Sequence, residues 1–193
     1  DGSSRATVLL AIGDSFSSGE GAGEPWERTD DGEVHPCRRS ALAYGPLLAP
    51  GSQWAEGSGM NLDRDVRHVA CQGAVAADVP DQYAFLPGGE RDRAALIVLT
   101  MGGNDVGFAS ILERCITRPR GDGCLRTYRP GADLLSYVIA AATIKVGDEL
   151  RQIAGDFPNA TVLLLSYPPI FAGDRADIEC DLAVPGSLDF RDN

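Results

Sequence analysis

Short apolar runs rich in branched residues, at positions 7–12, 66–71, 95–101 and 160–166, alternate with stretches of helical spacing. Runs of this length, bounded by turn-forming residues, read as buried strands. The intervening stretches are 40–48, 75–86, a pattern of Phe108, Ile111, Leu112 and Cys115 at spacings of three and four, and 130–157. In the last of these, Leu134, Leu135, Val138, Ile139, Ala142, Val146, Leu150 and Ile153 fall on one side, and Pro130 stands near its first turn. Strand and helix in alternation predict an α/β fold, a doubly wound parallel sheet with helices on both faces. Sites in such folds form at the carboxyl ends of the strands.

A chain of 193 residues, 44% of them hydrophobic, buries one sizeable core, so residues 1–193 read as a single domain. Seventeen Lys and Arg against 28 Asp and Glu leave a formal charge of −11, which repels phosphate backbones and argues against a nucleic-acid partner. Apolar runs such as 96–99 and 162–165 fall far short of the roughly 20 residues of a membrane span. The opening Asp1-Gly2-Ser3-Ser4 reads as a processed or trimmed terminus.

Cys37, Cys71, Cys115, Cys124 and Cys180 lack the paired Cys-x-x-Cys spacing of a zinc site, so no metal is expected. Cys115 and Cys124 flank a short loop that a bridge closes easily, and Cys37 with Cys71 ties a loop to a strand end. Such bridges suit an exported protein; buried free thiols are the alternative, because connectivity does not follow from sequence. Cys180 is left over. Asp30, Asp31 and Glu33 read as solvated acidic surface.

The first three strands each end in a small, polar, glycine-bearing turn: Gly13-Asp14-Ser15, Cys71-Gln72-Gly73-Ala74 and Gly102-Gly103-Asn104-Asp105. A parallel sheet brings these turns to one edge. A serine hydrolase needs an exposed hydroxyl and preorganised donors for the oxyanion of its tetrahedral intermediate. Ser15 fits the first requirement. Its own N–H, the N–H of Gly73 and the side-chain amide of Asn104 fit the second. No cofactor is called for: Gly-x-Gly-x-x-Gly and Gly-x-x-x-x-Gly-Lys are both missing, which weighs against a nucleotide- or flavin-binding module.

On these blocks the chain resembles the SGNH (GDSL-type) esterase and lipase superfamily, in its disulfide-bearing extracellular actinobacterial branch. The blocks are Gly13-Asp14-Ser15-Phe16-Ser17-Ser18-Gly19-Glu20-Gly21, Ala70-Cys71-Gln72-Gly73-Ala74 and Gly102-Gly103-Asn104-Asp105-Val106-Gly107-Phe108. His35-Pro36-Cys37-Arg38-Arg39-Ser40 with Ala43-Tyr44 is similar to the segment that follows the first block. The resemblance implies a secreted ester hydrolase with a flavodoxin-like α/β/α sheet of five strands. It also implies Ser15 as nucleophile, Ser15, Gly73 and Asn104 as oxyanion hole, and Asp14 as support for the nucleophile turn. Cys37–Cys71 and Cys115–Cys124 match the family's first two disulfides, and Cys180 matches half of a third.

The superfamily's fourth block, an Asp-x-x-His near the carboxyl terminus, supplies the general base; the sequence has none there, His35 and His68 being its two histidines. His68 reads as a structural strand residue far from the catalytic edge, and His35 as a loop residue with no acid at the family spacing. The resemblance therefore predicts the amino-terminal part of a longer catalytic domain, without its last strand and helix and short by about 60 to 80 residues. A complementing carboxyl-terminal segment would supply the base. The substrate expected is a lipid or small-molecule ester, with Trp26, Trp54 and Phe108 as candidate pocket residues. The competing reading is a catalytically inactive binding or structural domain on the same fold.

Overall fold

The computed structural model describes residues 8–23, 35–48, 65–117 and 133–168. Four strands, β1 (Val8–Gly13), β2 (Asp65–His68), β3 (Ala94–Thr100) and β4 (Thr161–Leu164), form one sheet in the order β2-β1-β3-β4. Every pairing is parallel. The fold is therefore α/β, with the strand order predicted. The order reverses between β1 and β3, and the turns after those two strands carry Ser15 and Asn104. A reversal of this kind opens a crevice beyond the strand ends, where α/β sheets hold their ligands.

β1 is buried along its whole length because it is covered on both faces. Leu10 and Ile12 face a core shared with Val79, Tyr83, Ile97, Leu99, Ile153 and Phe157, while Leu9 and Ala11 face a smaller cluster with Val98, Tyr44 and Leu48. The period of two along the strand makes this division possible. The helices are α1 (Ser15–Ser18), α2 (Tyr44–Leu47), α3 (Val79–Tyr83), α4 (Gly88–Arg93), α5 (Phe108–Thr117) and α6 (Asp133–Asp156), with a 3₁₀ turn at Ala76–Asp78.

Several expectations are corrected. The stretch 40–48 is helical only over α2, and 75–86 divides into the 3₁₀ turn and α3. α4 had no apolar period to announce it, since it reads Gly-Gly-Glu-Arg-Asp-Arg and buries no residue. β4, predicted to be buried, is largely exposed, with Leu163 at 46% and Leu164 at 41%. It pairs with β3 on one side. The apolar side of α6 is also only partly used: Ala142 and Ile153 are buried, whereas Ile139 is exposed.

Cys37 and Cys71 are joined by a disulfide. Cys124 and Cys180, Trp26 and Trp54, and the acidic residues Asp30, Asp31 and Glu33 lie outside the described residues, as does the Cys115–Cys124 pairing.

Candidate active site

The first turn is held by its backbone geometry. Gly13 has φ +112°, and a Cβ there would stand 2.3 Å from the Thr100 carbonyl oxygen and 2.6 Å from Ser17 Oγ. Asp14 caps α1, its Oδ1 accepting the Phe16 N–H at 3.1 Å. The same Oδ1 accepts the Thr100 hydroxyl at 2.6 Å, and Oδ2 accepts the hydroxyl of Tyr167. Asp14 is thus a buried carboxylate surrounded by donors, as a buried charge requires.

Three serines share this turn, and their environments differ. Ser17 and Ser18 are fully buried. Ser17 Oγ accepts the Thr100 N–H at 2.8 Å and bonds the hydroxyls of Thr100 and Tyr44, while Ser18 Oγ donates to the Ser15 carbonyl. Ser15 is partly exposed, and among the described residues none bonds its hydroxyl. Its N–H belongs to the first turn of α1, where no intrahelical acceptor exists.

Burial pushes the Tyr44 phenol up to about 12, against the opposing effect of its Ser17 and Thr100 hydrogen bonds. It therefore packs as a neutral donor beneath the turn.

The second turn bonds directly to the first: the Cys71 N–H donates to the Gly13 carbonyl at 3.0 Å. Gly73 follows with φ +78°, exposed, and a Cβ there would meet nothing within 4 Å. Its need for glycine is thus conformational rather than steric. The third turn bonds to the second. Asn104 Nδ2 donates to the Ala74 carbonyl at 2.9 Å, and Asp105 Oδ2 accepts the Ala76 N–H at 2.8 Å. An amide nitrogen carries two protons, so one on Ala74 leaves Asn104 a second to donate. Lys145 approaches Asp105 Oδ1 at 3.5 Å, and burial, with the charges of Asp148 and Asp105, raises the Glu149 carboxyl nearby.

The structure thus brings Asp14 and Ser15, Gly73 and Asn104 onto three mutually bonded turns at one sheet edge. A cleft of about 910 Å³ opens on the β2 side, walled by the Cys37–Cys71 bridge, Arg39, His68, Gly73, Gln82 and Phe85. Ser15 and Asn104 are not among its walls.

The two histidines are placed differently from expectation in one respect. His68 is the last residue of β2 and lines this cleft, so it lies toward the edge that carries the three turns and not away from it. The strand stops three residues earlier than the apolar pattern suggests. Its Nε2 donates to the Ser18 carbonyl at 3.3 Å, the structural use that was expected. His35 Nδ1 accepts the Cys37 N–H at 3.2 Å.

Two residues at the site carry no sequence signal. Gln82 looks like any polar residue of a helix, and Tyr167 like an aromatic beyond a strand.

In sequence, the chain is 30% identical to a lipase of Streptomyces rimosus and 31% identical to lipase 1 of Streptomyces coelicolor, each over 167 residues, or 86% of this chain and 54% of the relative. It spans about half the length of those lipases. In structure it is similar to the extracellular lipase of Streptomyces rimosus, with TM-score 0.57 and 27% identity over 84% of this chain and 61% of that one. It is also similar to phospholipase A1 of Streptomyces albidoflavus, with TM-score 0.56 and 25% identity over 90% of this chain and 66% of that one. No family model matches the chain.

Proposed function

We propose that this chain carries the nucleophile and oxyanion hole of a secreted carboxylic-ester hydrolase of the SGNH type. The observation that carries the reading is the contrast among the three serines: Ser17 and Ser18 are committed to the fold, and Ser15 alone is partly exposed with an unengaged hydroxyl among the described residues. The likeness to lipases and a phospholipase supports an ester as substrate, and the Cys37–Cys71 disulfide supports export.

Ser15 Oγ attacks the ester carbonyl carbon and loses its proton to a base. The resulting oxyanion is met by the N–H groups of Ser15 and Gly73 and by Asn104 Nδ2. Collapse expels the alkoxide, which takes that proton from the base and leaves as the alcohol, and water then hydrolyses the acyl-enzyme by the same route. Asp14 supports the turn. The cleft beside Gly73 is the place for a chain of the substrate.

His68 Nε2 donates to the Ser18 carbonyl and His35 Nδ1 accepts the Cys37 N–H, which supports a structural use for both rings. On this reading the base is supplied by a complementing carboxyl-terminal segment, and the chain alone is nearly inert. The same observation favours the second reading, an inactive domain that binds without reacting.

The test uses the longest natural polypeptide that contains this chain, a fluorophosphonate probe and p-nitrophenyl butyrate. Labelling at Ser15 and hydrolysis abolished by Ser15→Ala are expected, with a loss on the order of 10⁶ for the 193 residues alone. No labelling of the longer polypeptide favours the binder, and turnover surviving in Ser15→Ala rejects Ser15.

A further inference from the structure

Tyr167 lies three residues beyond β4, on the same sheet edge as the three turns. The chain continues along β3 past the strand, with the Leu165 N–H on the Leu99 carbonyl at 2.8 Å, and this carries the tyrosine over the third turn. Its hydroxyl accepts the Gly103 N–H at 2.9 Å and donates to Asp14 Oδ2. Its ring meets Phe16 edge-on at 5.1 Å. A Cβ on Gly103 would stand 3.0 Å from the phenol oxygen, so the glycine is what lets the ring reach the backbone.

A phenol has one proton to give and lone pairs to accept with. Here the proton goes to the carboxylate that caps the Ser15 turn, and a lone pair goes to the backbone next to Asn104. Burial and the Asp14 carboxylate both raise the Tyr167 phenol above its ordinary range, so the phenol keeps its proton at neutral pH.

We propose that Tyr167 is a positioning residue that holds the nucleophile turn and the Asn104 turn in register through one hydroxyl. The catalytic part of this inference rests on the ester-hydrolase reading. Ser15 must meet a carbonyl carbon whose oxygen lies on Asn104, so the two turns need a fixed separation. Misplacement by about 1 Å can cost 10²-fold in rate. Backbone pairing of β1 with β3 ends at the Gly13–Thr100 register, and the Asp14 N–H to Thr100 carbonyl bond follows at 3.2 Å. Beyond it, Tyr167 is the side chain that touches both turns from a third strand.

The test compares Tyr167→Phe, which keeps the ring on Phe16, with Tyr83→Phe, which removes a buried hydroxyl from Asp156 in the core beneath the sheet. Amide hydrogen exchange is read on the 193-residue chain. In Tyr167→Phe, exchange at both Gly103 and Phe16 should accelerate by about tenfold or more, and Tyr83→Phe should leave both unchanged. Gly103→Ala, which pushes the phenol off Asp14, should accelerate Phe16 in the same way. In the longest natural polypeptide, Tyr167→Phe should lower kcat about 10- to 100-fold with KM within about threefold, and Tyr83→Phe should leave kcat unchanged.

Acceleration at Gly103 without Phe16 overturns the proposal, as does an equal loss of kcat in Tyr83→Phe. If the wild-type polypeptide hydrolyses no ester, the hydrolase reading fails separately, and the exchange result by itself decides whether Tyr167 couples the two turns.

Discussion

Gln82 grips both backbone groups of Gly13: its Oε1 accepts the Gly13 N–H at 2.7 Å and its Nε2 donates to the Gly13 carbonyl at 2.8 Å. The pair spans 69 residues of sequence and closes the end of β1 from helix α3. The glycine that opens the Ser15 turn is thereby held at both its backbone groups by one side chain.

Gln82→Ala leaves the Gly13 N–H without its acceptor, while the carbonyl keeps the Cys71 N–H. A loss of about 1–3 kcal/mol is expected in urea denaturation. Gln82→Glu should be no better, because a carboxylate would then face the Gly13 carbonyl. Stability equal to wild type in Gln82→Glu would show that the amide proton contributes nothing.

Gly13→Ala should be among the most damaging single changes at the sheet edge. Positive φ and a Cβ 2.3 Å from the Thr100 carbonyl oxygen act together, and a loss of at least about 3 kcal/mol is expected. Gly89→Ala, in α4 with nothing within 4 Å of the added Cβ, should be neutral or stabilising by up to about 1 kcal/mol. Denaturation midpoints of the two variants check the contrast.

Reducing the Cys37–Cys71 bridge releases a loop of sequence separation 34. Chain entropy alone puts the loss at roughly 3–4 kcal/mol. Comparison of thermal midpoints for the oxidised chain and the Cys37→Ser, Cys71→Ser double variant measures it. An unchanged midpoint would mean that the bonds from Arg39 to the Ala70 carbonyl and from Ser40 to the Ser18 carbonyl hold this loop unaided.

Alkaline stability should fall between pH 10 and 12. Burial pushes the Tyr44 phenol up to about 12, and burial with the Asp156 carboxylate raises Tyr83 further. In the unfolded chain both ionise near ~10. Above that pH the unfolded state binds fewer protons than the native state. The stability is therefore full below pH 10 and is lost as pH rises, by about 1.4 kcal/mol per pH unit for each tyrosine. Urea midpoints at several alkaline pH values, with Tyr44→Phe expected to flatten the slope, check the sign and the size.

Part of the candidate site was legible before any coordinates. Ser15, Gly73 and Asn104 stand in turns that end apolar runs, and such turns share an edge in any parallel sheet. Gln82 and Tyr167 were illegible for the opposite reason. Nothing in their local sequence distinguishes them, and their partners Gly13 and Gly103 lie 69 and 64 residues away. α4 escaped notice because an exposed helix has no apolar stripe to betray it. His68 was set at the wrong end of its strand because apolar residues continue beyond the point where pairing with β1 stops at Ala11.

What the sequence by itself determined is the alternation of strands and helices, the parallel sheet, and the glycine turns with the serine and asparagine they carry. These follow from hydrophobic period and backbone freedom, which are local properties. Tertiary structure decided which of the serines at 15, 17 and 18 keeps an available hydroxyl, what His68 Nε2 and His35 Nδ1 bond, and which side chains hold the turns together. Those outcomes depend on groups brought together across strands, and hydrogen-bond partners so distant in the chain leave no trace in a local pattern.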